Sequence, residues 1–110
     1  MQNFSLKNGT TASTQFSEAD ISNELTISKG KYLLVFVGRR PIPADALIDV
    51  KWGASFEHFL LNDINDSFCN IVEVSENSTK IKLTIYNNGQ SAKTFTNNAT
   101  LCRASLVKLH

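Results

Sequence analysis

Proton transfer, nucleophilic attack and metal binding each need particular side chains held against a partner, so those residues come first. His58 is the internal histidine of the chain and His110 the terminal one. His58 stands in Phe56-Glu57-His58-Phe59-Leu60, which reads as a half-buried strand with a structural histidine. Cys69 and Cys102 have no histidine beside them in sequence. Both fall in apolar strand patterns, where a free cysteine behaves as a small hydrophobe. A bridge between them requires their strands to be neighbours. Asp63, Asn65 and Asp66 offer oxygen ligands of the kind calcium takes, but the glycine and closing glutamate of a calcium loop are missing. Turn-forming Asx side chains account for that segment without metal. There is no Gly-x-Ser-x-Gly elbow, phosphate loop or Cys-x-x-Cys pair. The expectation is a non-enzymatic protein with no catalytic residue, no metal and no cofactor.

Binding makes different demands. Aromatic and forked polar side chains near loops give large contact area at low entropy cost. Trp52 stands at a strand end beside Gly53, Arg39 and Arg40 precede a proline loop, and Tyr86, Asn87 and Asn88 flank a tight turn. These six are the candidate ligand contacts. For Trp52 a core or interface role competes with that reading, and Tyr86 shares a strand face with Lys80 and Lys82. Sequons at Asn3, Asn8, Asn65, Asn77 and Asn98 are read as by-products of a chain rich in Asn, Ser and Thr. That richness suits a domain exposed to solvent.

Charge narrows the partners. Eleven basic residues against ten acidic leave a net charge of +1, whereas nucleic-acid binding rests on neutralising phosphates. Arg39-Arg40 and the alternating Lys80 and Lys82 are read as solvated loop and strand positions, so no nucleic acid is expected. No apolar run approaches the roughly 20 residues of a membrane-spanning helix. The longest, Tyr32-Leu33-Leu34-Val35-Phe36-Val37, has the length of a strand. The polar stretch 1–14 lacks the apolar core of a secretory signal.

The elements that must position these residues are strands. At 110 residues the chain makes one domain. Strand patterns recur over 24–27, 31–38, 46–52, 56–61, 68–74, 80–86, 92–96 and 101–109, with Gly, Pro, Asx and Ser between them. Arg40-Pro41-Ile42-Pro43 is a loop, since proline has no ladder donor. The period of two is cleanest over 80–86, with Ile81, Leu83 and Ile85 on one face. Asn87-Asn88-Gly89 closes that strand as a turn. Residues 17–20 could begin a helical turn that 21–23 would stop. About eight short strands argue for an all-β antiparallel sandwich or jelly roll over 24–110, preceded by a strand and connector over 1–23. In 32–37 both faces are apolar, and a sandwich strand needs one buried face. The face of Tyr32, Leu34 and Phe36 is therefore expected at a subunit interface, with cover from within the chain as the alternative.

The order of the pieces resembles the C1q/tumour-necrosis-factor-like jelly roll of trimeric phage tail-fibre heads and of bacterial and spore-surface filaments. Leu25-Thr26-Ile27-Ser28-Lys29-Gly30-Lys31-Tyr32-Leu33-Leu34 looks like its early strand, Gly-x-Tyr, strand entry. Ser78-Thr79-Lys80-Ile81-Lys82-Leu83-Thr84-Ile85-Tyr86-Asn87 is similar to its penultimate strand, and Ala99-Thr100-Leu101-Cys102-Arg103-Ala104-Ser105-Leu106-Val107-Lys108-Leu109 to its closing one. The resemblance implies a homotrimer on a virion or extracellular surface, recognising a cell-surface glycan or protein receptor. It brings no catalytic residues. A monomeric carbohydrate-binding or immunoglobulin-like adhesion sandwich is the alternative, and a structural virion protein the next.

Overall fold

The computed structural model describes residues 1–38, 46–61, 66–97 and 101–110. Among them the chain is all β, and every strand pairing is antiparallel. The strands are β1 (Gln2–Asn3), β2 (Thr10–Ala12), β3 (Glu18–Asp20), β4 (Leu25–Ile27), β5 (Gly30–Val37), β6 (Ala46–Trp52), β7 (Ser55–Leu60), β8 (Ser67–Val74), β9 (Thr79–Asn87), β10 (Lys93–Phe95) and β11 (Arg103–Lys108).

One sheet runs β1-β11-β5-β8 and the other β3-β9-β6-β7, with β4 also on β9 and a separate β2-β10 ribbon. Because β3 and β4 both pair with β9, they act as two segments of one strand. Setting the ribbon aside, the eight principal strands then run 1-8-3-6 and 2-7-4-5. That is jelly-roll connectivity, in which a double sheet buries one face of each strand.

The core lies between the sheets. β5, β8 and β11 supply Tyr32, Leu34, Phe36, Val72, Val74, Ala104 and Leu106, and β6 and β9 supply Ile48, Val50, Ile81, Leu83 and Ile85, all buried. At one side of the sandwich Phe59 stacks on Phe68 with ring centres 4.0 Å apart, and Phe68 stacks on Phe36 at 5.1 Å. These rings join β7 of one sheet to β8 of the other. Residues 1–23 are more than a connector, because Phe4, Ala12 and Ile21 belong to the core. The stretch expected to begin a helical turn forms β3 instead, where Glu18, Ala19 and Asp20 pair with Tyr86, Ile85 and Thr84. Pairing there gives the edge of β9 the ladder bonds its backbone requires. At the carboxyl end, Lys31 N donates to His110 O at 2.9 Å. A Cβ on Gly30 would stand 2.8 Å from that oxygen, so the close approach needs glycine.

The interface expectation for Tyr32, Leu34 and Phe36 is corrected. They are 3%, 0% and 0% exposed within the single chain, because this face of β5 looks across to the second sheet. The Tyr32 hydroxyl donates to Ser28 O at 2.8 Å. The other face of β5 is the open one. Leu33 and Val35 are half-buried there and Val37 is exposed, beside Ile71 and Cys69 of β8 and Val107 of β11. Neither cysteine forms a disulfide: Cys69 is exposed on this outer face, against the expectation of a buried thiol, while Cys102 is buried.

Candidate functional site

The functional side chains gather on the outer face of the second sheet, and a hairpin sets their register. β6 and β7 are joined by the two-residue loop Gly53-Ala54, with Trp52 opposite Ser55. Gly53 has φ 56°, the left-handed conformation that such tight hairpin loops demand. Counting back from that turn places Asp49 opposite His58, Lys51 opposite Phe56 and Leu47 opposite Leu60. β9 then sets Tyr86 beside Leu47 and Thr84 beside Asp49, and β3 adds Glu18 beside Tyr86 and Asp20 beside Thr84. Two cross-sheet rows result: Glu18-Tyr86-Leu47-Leu60 and Asp20-Thr84-Asp49-His58.

The centre of this face is polar and buried. Asp49 is 2% exposed, and His58 Nδ1 lies 2.5 Å from its Oδ1. Burial pushes the Asp49 carboxyl above its ordinary range, and the hydrogen bond and charge of His58 pull it back only in part. With Asp49 ionised, Nδ1–H donates to it, which fixes the tautomer and leaves Nε2 for an outside partner. The imidazole sits between two rings, 5.0 Å from Phe56 and 5.4 Å from Tyr86. Lys51 pairs with Glu18, and Lys82 with Asp20 at 3.0 Å. The Asp20 carboxylate raises the Lys82 ammonium above its usual value. Thr84 Oγ1, buried on this face, has no hydrogen-bond partner among the described residues.

An aspartate–histidine pair is half of a proton-transfer system, and a nucleophile would complete it. Among the described residues no hydroxyl or thiol is bonded to His58, and no cluster of three or more His, Cys, Asp or Glu side chains could hold a metal. The arrangement can stack a ring on its aromatic surfaces and exchange hydrogen bonds at its rim.

Of the sequence candidates, Tyr86 belongs to this site. Trp52 does not: it lies on the inner face of β6 and packs against the core. Asn87 is corrected too. It is fully buried, its Nδ2 donates to Ala12 O at 3.0 Å and Ser91 O at 2.8 Å, and its Oδ1 accepts from Gly89 N at 2.9 Å. Those bonds fasten the turn after β9 and leave nothing for a ligand. Asn88 is exposed in that turn, apart from the residues lining the central cavity. Arg39, Arg40, Asp63 and Asn65 lie outside the described residues. Asp49, Phe56 and Glu18 were missed, and His58 was read as structural only. The two-residue loop was the available signal, because it forces Asp49 and His58 into register.

No protein-family model matches the chain, and no curated protein or solved structure matches it either. Fold and site therefore stand on the geometry above.

Proposed function

We propose that this jelly roll is the receptor- or host-surface-recognition head of a trimeric phage tail fibre or similar filament. In this reading it works on a virion or extracellular surface, by binding rather than by catalysis, with a cell-surface glycan or protein as its receptor. The observation that carries the reading is the platform of Phe56, His58 and Tyr86, its buried Asp49 and its flanking Glu18–Lys51 pair. Rigid strands hold a ring-binding surface with polar groups at its rim, as a recognition site requires. Jelly-roll connectivity supports the family reading.

Self-association belongs, on this account, to the outer face of the first sheet, with a second copy of the chain as its cover. Val37 is 46% and Ile71 50% exposed there, beside Leu33, Val35 and Val107. The Lys31–Glu73 pair closes one end of the patch with opposed charges that copies can exchange. The alternative, a monomeric carbohydrate-binding sandwich, gains from the burial of Tyr32, Leu34 and Phe36 within one chain. Light scattering coupled to size exclusion separates the two. The trimer predicts three times the 12.2 kDa chain mass, stable on dilution. A mass of 12.2 kDa at every dilution overturns the trimer and leaves the single-chain module.

A further inference from the structure

The cavity in the middle of the platform selects among ligand chemistries. It measures about 180 Å³ and is lined by Glu18, Asp49, Lys51, Phe56, His58 and Tyr86. Pockets for drug-sized ligands run roughly 300–1,000 Å³, so this one takes a single ring, with the rest of the molecule lying over the sheet.

The charged groups of the cavity are already partnered, Lys51 with Glu18 and Asp49 with His58. A charged ligand therefore finds no free opposite charge to offset its desolvation, a cost that an uncharged ligand does not meet. Phe56, 56% exposed, and Tyr86 offer apolar ring surfaces on either side of the imidazole. Around them stand acceptors on Glu18 and His58 Nε2 and a donor on Lys51, a mixed set that hydroxyl groups satisfy because each both donates and accepts.

We infer that this cavity binds one uncharged hexopyranose ring of a glycan. The C–H face of the sugar stacks on Phe56 and Tyr86, and its hydroxyls bond His58 Nε2, Lys51 and Glu18. This rests on the recognition reading and names the ligand class for that site.

The test is a nuclear-magnetic-resonance titration of the ¹⁵N-labelled full chain with methyl glucoside, galactoside and mannoside, and with glucuronate as the charged comparator. At least one uncharged sugar should give saturable shifts at Phe56, His58, Lys51 and Tyr86, with glucuronate binding more weakly. Phe56→Ala should lower the affinity about tenfold, the upper end of what one ring contact contributes. The Phe56 ring is exposed, so the spectrum should keep its dispersion. Glucuronate binding as tightly, or Phe56→Ala binding unchanged, overturns the inference. Saturable shifts that map to another face overturn this site and leave the recognition reading standing. Silence with every sugar overturns the inference; silence of the chain on glycan arrays and host cells as well overturns the recognition reading.

Discussion

Phe36→Ala removes a fully buried ring from the penultimate position of β5 and from the end of the Phe36-Phe68-Phe59 stack. Truncating a buried phenylalanine costs about 3–5 kcal/mol, transfer and cavity together. Loss of the 5.1 Å stacking partner places this site in the upper half of that range, since an aromatic pair adds about 0.5–1.5 kcal/mol beyond its area. A small domain has only about 5–15 kcal/mol in total. With a urea slope of about 2 kcal/mol per molar, the unfolding midpoint should fall by about 2 M. Val35→Ala, one residue away on the half-buried outer face, removes two methyl groups only partly withdrawn from water. It should cost about 1 kcal/mol or less. Both should be measured by far-ultraviolet circular dichroism in urea, at one protein concentration and in a background carrying Val37→Lys and Ile71→Lys to prevent self-association through the outer face, because association adds stability by mass action. A midpoint for Phe36→Ala within about 0.5 M of that background, or a larger loss from Val35→Ala, would refute the assignment of inner and outer faces.

Three further outcomes follow from the same geometry. The fold raises the Asp49 carboxyl above its ordinary value, so its contribution is fully present below the unfolded pKa and is lost as pH rises through the folded one. Asp49→Asn cannot ionise, so its stability relative to wild type should increase between about pH 4 and pH 7; urea midpoints across that range check it, and a constant difference contradicts it. Asn87→Ala strips partners from two carbonyls and one amide and should cost about 2–4 kcal/mol, read as a fall in thermal midpoint; a change under about 0.5 kcal/mol would return Asn87 to the surface. Val37→Lys with Ile71→Lys places two charges on the open face of the first sheet. The double variant should stay folded while its light-scattering mass drops to that of one chain, whereas an unchanged trimer mass would move the interface elsewhere.

The strands were legible because polar and apolar residues alternate with a period of two wherever one face meets solvent. β6 spans the expected 46–52, and β9 adds one residue at each end of the expected 80–86. Which face of β5 points inward was harder to read, because both sides of 32–37 are apolar. Lys31 shares its parity with Leu33, Val35 and Val37, and its pairing with Glu73 marks that face as the outer one. β2 and β3 escaped individual notice because three-residue strands give too short a window for periodicity, whereas β4 and β10, equally short, fall inside the expected 24–27 and 92–96. The site was half visible: Tyr86 and His58 could be singled out by type. Their convergence depends on the order of β7, β6, β9 and β3 across the sheet, which no local pattern encodes. Asn87 misled because Asn-Asn-Gly marks a turn equally well whether its first side chain faces solvent or the core.

The most direct test of recognition through the second sheet is binding of the intact chain to a glycan array and to host cells, beside the variant Phe56→Ala. That ring is exposed on β7, and His58 stays in place as the partner of the buried Asp49, so the variant should keep the wild-type circular dichroism spectrum and unfolding midpoint. The account predicts that wild type binds and that the folded variant loses most of that binding. Equal binding by the two proteins, or none by wild type, would contradict it.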